Sequence, residues 1–256
     1  MSPVPLATTP AERTRVTPDP TSAPIAYTLR VSPRAKHVRI TVTRAAEVVV
    51  TIPKRFAQRR VPAIVEARRA WIARALTRAA ARAEAIRAEH GDGLPATVTL
   101  RATGESLAVA YRASAAEGVI ARESRGMLAL SGATHDGAAC TAALRRWLVR
   151  RAHAHLGQVV SELAAARGFT ISRVRVGLQR SRWGSCSPRG TVSLNAKLLF
   201  LPPELVRYVI LHELCHTQAM DHSARFWAIL AEHDPAFERH RRALRDVERL
   251  VPPWAS

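Results

Sequence analysis

Four residues near the C-terminal end of the chain have side chains and spacing suited to metal chemistry. His212, Glu213 and His216 lie in one short stretch, and His222 follows six residues later. On a helix, residues four apart project from one face, so His212 and His216 can present two ring nitrogens to a single ion. Glu213 can reach a water held on that ion and act as general base. Three protein ligands plus one water form the usual catalytic zinc site, and His222 is the candidate third ligand.

The residues around this motif favour a metal site. Apolar Val209, Ile210 and Leu211 precede it and predict a buried helix, where polar side chains are costly unless they have partners. A turn at Met220-Asp221 would fold His222 back toward the first two histidines. The alternative is a structural cluster of histidines that binds no metal.

The eleven residues from His212 to His222 have the length of the metzincin zinc motif, but Ala219 replaces its glycine. Alanine resists the unusual backbone conformation that the glycine allows. We therefore expect the helix to end differently, and we do not assign the chain to the metzincins. His222 is expected to lead into a second helix, Ser223 to Glu232, packed through Phe226, Trp227 and Leu230.

Composition indicates a globular protein. The chain has 256 residues, 47% of them hydrophobic, and no apolar stretch approaches the roughly 20 residues that span a bilayer. The first residues lack the basic start and apolar core of a signal peptide. Three cysteines, Cys140, Cys186 and Cys215, form no CxxC pair, so neither a disulfide framework nor a cysteine zinc site is indicated. We expect a cytoplasmic protein that is not associated with a membrane.

The chain is strongly basic. It contains 39 Lys and Arg against 20 Asp and Glu, a formal net charge of +19. Such an excess raises the local concentration of nucleic acid, nucleotides or acidic protein segments, but it does not identify one partner. The alternative is a compositional bias, with arginines on solvated helix faces.

Sequence patterns divide the chain into three regions. Residues 1–24 contain six prolines with Thr and Ser and predict a disordered tail. Residues 25–134 predict a β-rich region of short antiparallel strands with one long basic helix at 54–90. Residues 135–256 predict the metal-binding catalytic region, with a helix from Ala138 to Arg167 and another that begins at Pro202-Pro203. The expected fold class is α+β.

Several segments occur together in a known family. They are Gln179-Arg-Ser-Arg-Trp-Gly-Ser-Cys-Ser187, Asn195, Tyr208-Val-Ile-Leu-His-Glu-Leu-Cys-His216, His222-Ser223 and Phe226-Trp227. In this order they resemble the YgjP-like metal-dependent hydrolases, also called the DUF45 or M48-like metallopeptidase domain, with the SprT-like proteases as more distant relatives. The likeness covers about Ile25 to Leu250. It implies a zincin-like helical core with a small antiparallel sheet, metal ligands at His212, His216 and His222, and a base at Glu213.

The Arg182-Trp183-Gly184-Ser185-Cys186 segment allows two interpretations. A strand edge beside a metal cleft could hold an extended peptide, while Arg182 could bind a carboxylate or phosphate. Alternatively the segment is a structural bridge. Arg182 and Tyr208 are the candidates for substrate binding and oxyanion stabilisation. Cys186 is a substitute ligand should His222 lie far from the other histidines.

Three functions fit these features. The first is metal-assisted hydrolysis of peptides, because most His-Glu-x-x-His helices cleave peptide bonds. The second is a pyrophosphatase-like hydrolysis of nucleotides or another anionic small molecule. It is favoured by five arginines without an intervening acid: Arg173, Arg175, Arg180, Arg182 and Arg189. The third is a nucleic-acid-binding module whose metal is structural and fully coordinated. One divalent ion is expected, Zn²⁺ first, with manganese, nickel or cobalt as alternatives.

Overall fold

Two compact units make up the described part of the chain. The computed structural model describes residues 25–43, 46–91 and 93–255, so the tail predicted at 1–24 lies outside the described residues. One unit ends at Ala85 and the other begins at Ile86. Each unit has an apolar core of its own.

A three-stranded mixed sheet forms the first unit's β layer. Its strands are β1 (Thr28–Ser32), β2 (Arg39–Val42) and β3 (Val48–Pro53), in the order β1-β3-β2. β2 and β3 pair antiparallel as predicted, but β1 runs parallel to β3, so the antiparallel prediction was wrong for β1. The apolar alternation determines which side chains face the core and carries no information on strand direction.

Two helices replace the single helix predicted at 54–90. A 3₁₀ turn (Gln58–Arg60) leads into α1 (Val61–Glu66), and α2 (Arg69–His90) follows after a break. Pro62 lies in the first turn of α1, as its missing N–H allows. At the break, the Ala67 N–H bonds to the carbonyls of both Ala63 and Val65, so the last turn of α1 tightens instead of continuing. The boundary between the units falls near the C-terminal end of α2.

The second unit begins with a four-stranded mixed sheet. Its strands are β4 (Thr97–Leu100), β5 (Glu105–Ala113), β6 (Val119–Ser124) and β7 (Met127–Gly132), in the order β4-β5-β7-β6. The β4–β5 and β6–β7 hairpins turn at Gly104 and Gly126, which have φ values of 71° and 76°. These left-handed turn positions suit glycine.

A long helix, α3 (Gly137–Arg167), packs against β6. The Asp136 side chain caps it by accepting bonds from the Ala138 and Ala139 N–H groups at 2.8 and 3.0 Å. Gly168 ends it in the left-handed conformation that glycine adopts readily. One face of α3 is fully buried at Leu144, Leu148 and Leu156 and forms the centre of the second core.

The C-terminal part of the second unit carries the histidine motif. It contains β8 (Arg173–Gly177), β9 (Gly184–Cys186) and β10 (Thr191–Asn195), followed by α4 (Pro203–Cys215), α5 (Ala224–His233) and α6 (Phe237–Ala243). β10 lies between β8, to which it is parallel, and β9, to which it is antiparallel. β9 is therefore an edge strand, and it packs against α4. α6 ends at Ala243, and a separate 3₁₀ segment spans Val247–Leu250.

These elements confirm an α+β fold, with mixed sheets where the sequence predicted an antiparallel one. Among the described residues, no helix combines the length and apolar character needed to cross a membrane.

Candidate metal centre

The helix that carries the motif is buried along most of its length. α4 begins at Pro203, and Glu204 in its first turn complements the positive end of the helix. Ile210, Leu211 and Leu214 are fully buried. His212 and Glu213 extend from the last turns, and His216 is the first residue after the helix end. A polar group in such an environment needs a partner, which a bound metal would supply.

Three imidazoles converge at the end of α4. The ring centroid of His212 lies 5.0 Å from the ring centroid of His216 and 5.0 Å from that of His222. The centroids of His216 and His222 are 4.8 Å apart. One nitrogen from each ring lies within 4.8 Å of the others. The Nε2 atoms of His212 and His222 are 3.1 Å apart. The structure therefore brings His222, and not Cys186, to the other two histidines.

Phe226 covers one side of this triangle. Its ring centroid lies 4.8 Å from His212, 4.6 Å from His216 and 4.8 Å from His222. Phe226 is fully buried on α5. The three imidazoles therefore pack against one apolar ring that is itself buried.

A backbone hydrogen bond orients His216. Its Nδ1 lies 3.0 Å from the Ala219 carbonyl oxygen, which can only accept, so Nδ1 carries the proton and Nε2 keeps a free lone pair. Ala219 has no positive φ, in line with the expectation that this helix ends differently from the metzincin motif. Trp227 fixes the loop before α5, since its Nε1–H donates to the His222 carbonyl at 3.0 Å.

The environment keeps two of the rings uncharged. Burial, with smaller contributions from His216, His222 and Arg241, lowers the pKa of His212 from 6.5 to about 4. Burial also lowers the pKa of His216, against an opposing effect of its bond to Ala219. Neutral imidazole is the form that binds a metal.

Glu213 lies beside the histidines with only 6% of its surface exposed. Burial raises the pKa of its carboxyl group from 4.5 to about 7, while the nearby Arg182 guanidinium opposes that rise. A carboxyl group with a pKa near 7 can both take up and release a proton at neutral pH.

Gly184 of β9 makes room for this carboxylate. A Cβ atom at Gly184 would lie 2.6 Å from Oε1, 2.7 Å from Cγ and 2.9 Å from Cδ of Glu213. These distances are too short for non-bonded contact, so any side chain at this position must displace Glu213. The glycine of the Arg-Trp-Gly-Ser-Cys segment is thus required by the close approach of β9 to α4.

We expect Gly184→Ala to lower kcat about a hundredfold, because a catalytic group displaced by about 1 Å loses that much rate. The measurement is kcat together with metal content, which should stay unchanged. Gly177→Ala is the matched control, since a Cβ there meets only Gln179 Nε2 at 4.0 Å. Equal kcat values for the two variants would contradict the proposed packing.

Glu213 should also reduce the stability of the metal-free protein at alkaline pH. Its folded pKa is about 7 against an ordinary value of 4.5, so the folded state binds this proton more tightly than the unfolded state. That stabilisation is present below pH 4.5 and is lost as the pH rises through about 7. We expect Glu213→Gln to raise the free energy of unfolding by about 2 kcal/mol at pH 8 and to change it little at pH 4. Urea unfolding in a chelator at both pH values tests this, and an equal effect at the two values would contradict it.

Asn195 positions the segment that contains Arg182. Its Nδ2 donates to the carbonyls of Gln179 and Arg182, both at 2.9 Å, and its backbone N–H donates to the Trp183 carbonyl at 2.8 Å. Its Oδ1 also accepts from the Lys197 N–H at 3.2 Å. Arg182 itself is exposed, so its guanidinium is accessible next to Glu213.

Tyr208 lies one helical turn before His212, and the two ring centroids are 6.1 Å apart. Tyr208 is buried, and burial raises the pKa of its hydroxyl group. It therefore remains a neutral hydrogen-bond donor at neutral pH. The structure brings both candidate substrate-binding residues, Arg182 and Tyr208, to the surroundings of the metal centre.

Arg241 is a neighbour that the sequence did not indicate. Its guanidinium lies 4.7 Å from the Trp227 ring centroid. Its charge adds to the lowering of the His212 pKa and opposes the rise that burial causes in the Tyr208 pKa. It belongs to a run of arginines on α6, where nothing in the sequence distinguishes it from Arg239 or Arg242. Only the packing of α6 against α4 reveals its position.

The donor set fits a divalent metal. Two nitrogens bound at ~2.0–2.1 Å in tetrahedral geometry stand about 3.3 Å apart, close to the 3.1 Å between the Nε2 atoms of His212 and His222. Within residues 25–43, 46–91 and 93–255, no fourth His, Cys, Asp or Glu joins the group. Three protein ligands with an open position are typical of catalytic sites, whereas structural sites are closed.

The chain is similar to known metallopeptidase sequences and structures. A sequence model described as YgjP-like, metallopeptidase domain matches residues 36–247. The metallopeptidase zymogen of Methanocaldococcus jannaschii jannalysin is similar at 23% identity and a TM-score of 0.32, over 38% of this chain and 97% of that one. The metallopeptidase zymogen of Pyrococcus abyssi abylysin is similar at 24% identity and a TM-score of 0.33, over 37% of this chain and 94% of that one. No curated protein sequence matches the chain.

An α+β fold with three converging imidazoles beside a buried carboxylate is the arrangement of a metal-dependent hydrolase. The chain belongs to the YgjP-like metallopeptidase family, whose sequence model covers most of its length. Membership of this family implies a divalent metal.

Proposed function

We propose that the chain is a zinc-dependent peptidase with His212, His216 and His222 as ligands and Glu213 as general base. The observation that carries this proposal is the convergence of three imidazoles, with ligand nitrogens within 4.8 Å of one another, beside a glutamate that is 6% exposed. Zinc is favoured because three imidazoles and an open position are its common catalytic site. Manganese, nickel and cobalt also bind such nitrogens.

Each group around the site would have a separate role in hydrolysis. A bound divalent metal would supply Lewis acidity, which polarises the scissile carbonyl and makes a water acidic at neutral pH. The Glu213 carboxylate would accept the proton of the attacking water and transfer it to the leaving amide nitrogen. The Tyr208 hydroxyl and the Arg182 guanidinium would stabilise the negative charge that develops on the carbonyl oxygen.

The free edge of strand β9 favours a peptide as the substrate. One side of β9 pairs with β10, and its other side has no strand partner among the described residues. Gly184 in this strand contacts Glu213, so a peptide added along the free edge would run past the general base. Main-chain hydrogen bonds would hold such a peptide with little dependence on its sequence.

A nucleotide or similar phosphorylated compound is the second candidate substrate. Two guanidinium groups lie near the centre, Arg182 beside Glu213 and Arg241 beside Tyr208 and His212. Arginine binds phosphate through two parallel hydrogen bonds, so this pair would suit a phosphorylated substrate. A structural metal in a nucleic-acid-binding module is less well supported, because the group has three donors and not four in the part of the chain that the structure describes.

A side-by-side assay separates the two substrates. Purified zinc-loaded protein is incubated with casein-derived fluorogenic peptides and, separately, with nucleoside triphosphates, and Glu213→Gln serves as the inactive reference. We expect peptide cleavage that depends on Glu213 and no release of phosphate or pyrophosphate. Glu213-dependent triphosphate hydrolysis without peptide cleavage would replace the peptidase proposal with the phosphohydrolase.

A further inference from the structure

Much of the chain's positive charge lies in the first unit. Residues 25–85 contain 14 Lys and Arg and three Glu, a net charge of +11 out of +19 for the whole chain. The residues of the metal centre belong to the second unit. A concentration of positive charge on so short a segment suits an anionic partner.

Among the described residues of this unit, Trp71 is the exposed aromatic residue. It lies on α2 with 39% of its surface accessible, although tryptophan is usually mostly buried. Two cavities adjoin it, one of about 360 Å³ between β2 and α2 and one of about 280 Å³. Both are lined by Trp71 and Ile40, and we call the two together the Trp71 groove. Ala75 and Ala79 line the larger cavity and leave room beside the indole because their side chains are small.

Arginines line the Trp71 groove, and none of the described residues that line it is acidic. Arg78 and Arg82 line the larger cavity and Arg68 lines the smaller one. Arg68 and Arg78 are exposed, and neither guanidinium group has an ion pair or hydrogen bond within the described residues. The nearby Glu66 is neutralised by Arg69 through two bonds of 2.6 and 2.7 Å. The groove thus offers guanidinium groups on both sides of an accessible indole.

We propose that the Trp71 groove binds single-stranded nucleic acid, with a base stacked on Trp71 and the flanking phosphates on Arg68 and Arg78. Single-strand-binding surfaces combine these two elements, a positive groove that follows the backbone and aromatic rings on which bases stack. A duplex hides its base faces and cannot stack in this way. An acidic peptide would satisfy the arginines but has no flat ring for the indole.

Fluorescence anisotropy of labelled twenty-nucleotide dT and rU strands, titrated with the full chain, tests the proposal at several salt concentrations. We expect Trp71→Ala to weaken binding about tenfold and Trp71→Phe to restore most of it, because phenylalanine still stacks. Arg78→Gln should reduce the slope of log affinity against log salt by about 0.7, the value for one phosphate contact. Arg74→Gln is the matched control, since Arg74 is exposed on the same helix but lines neither cavity.

Several results would overturn the proposal. They are absence of binding to both strands at physiological salt, an equal loss for Arg74→Gln and Arg78→Gln, and full affinity in Trp71→Ala. Displacement of the strand by polyglutamate at equal charge concentration would also overturn it, by showing that charge alone attracts the ligand. Circular dichroism of each variant verifies folding, and Arg78→Gln tests the groove independently should Trp71→Ala be unstable. Comparison of dT with rU then identifies which nucleic acid is preferred.

Discussion

Replacing Glu213 with glutamine is expected to lower kcat for peptide hydrolysis about a thousandfold while the metal stays bound, because general base catalysis contributes ~10²–10⁴-fold. Glutamine has the same shape and should fit against Gly184, but its amide cannot accept the proton of the attacking water. The measurement is kcat for a cleaved peptide, with metal content determined on the same sample.

Glu204→Gln is the matched control for this prediction. Glu204 lies on the same helix but is exposed in its first turn, so kcat should stay within about twofold of the parent. Full hydrolytic activity in a metal-loaded Glu213→Gln protein would exclude Glu213 as the base and would undermine the proposed mechanism.

Replacing His222 with alanine is expected to cause a large loss of metal affinity. The loss should exceed the ~10–100-fold that removing an outer hydrogen-bond partner costs, because a direct ligand is removed. His222 is also the ligand furthest in sequence from the others, so this variant tests the fold of the Met220-Asp221 turn. Competition against a chromophoric chelator gives the affinity.

His153→Ala is the control for the histidine variants, since His153 is exposed on α3 and is not part of the cluster. Its metal affinity should equal that of the parent chain. An unchanged affinity in His222→Ala would mean that another group completes the site, and the three-histidine proposal would fail.

Sequence spacing predicted how His212 and His216 come together. Their separation of four residues on a helix requires a shared face, and the structure has the ring centroids 5.0 Å apart. The approach of His222 followed from a turn between it and His216, which the helix end at Cys215 and the loop before α5 provide. These features are local in sequence, which is why spacing sufficed to predict them.

Features that depend on tertiary packing were not predictable. The direction of β1 relative to β3 is set by how the chain connects the strands, and alternating apolar residues are the same for either direction. Phe226 was expected to pack α5, but its position equidistant from the three imidazoles depends on the angle between α4 and α5. The proximity of Arg241 to His212 likewise requires α6 to lie beside α4.

The break between α1 and α2 could not be predicted from the sequence either. Alanine and arginine are strong helix formers, and they occur on both sides of Ala67–Arg68. Helix propensity therefore predicted one continuous helix, whereas the structure contains two separate helices. The break places Arg68 at the end of the Trp71 groove and not within α2.

Metal content measured by elemental analysis, on protein purified without added metal, tests the central claim most directly. The parent chain should contain one divalent ion per molecule, chiefly zinc, and the His212→Ala/His216→Ala double variant should contain none while keeping its circular dichroism spectrum. A folded parent chain that binds no divalent ion even after zinc is supplied, or a double variant that retains a full equivalent, would contradict a metal centre at these histidines.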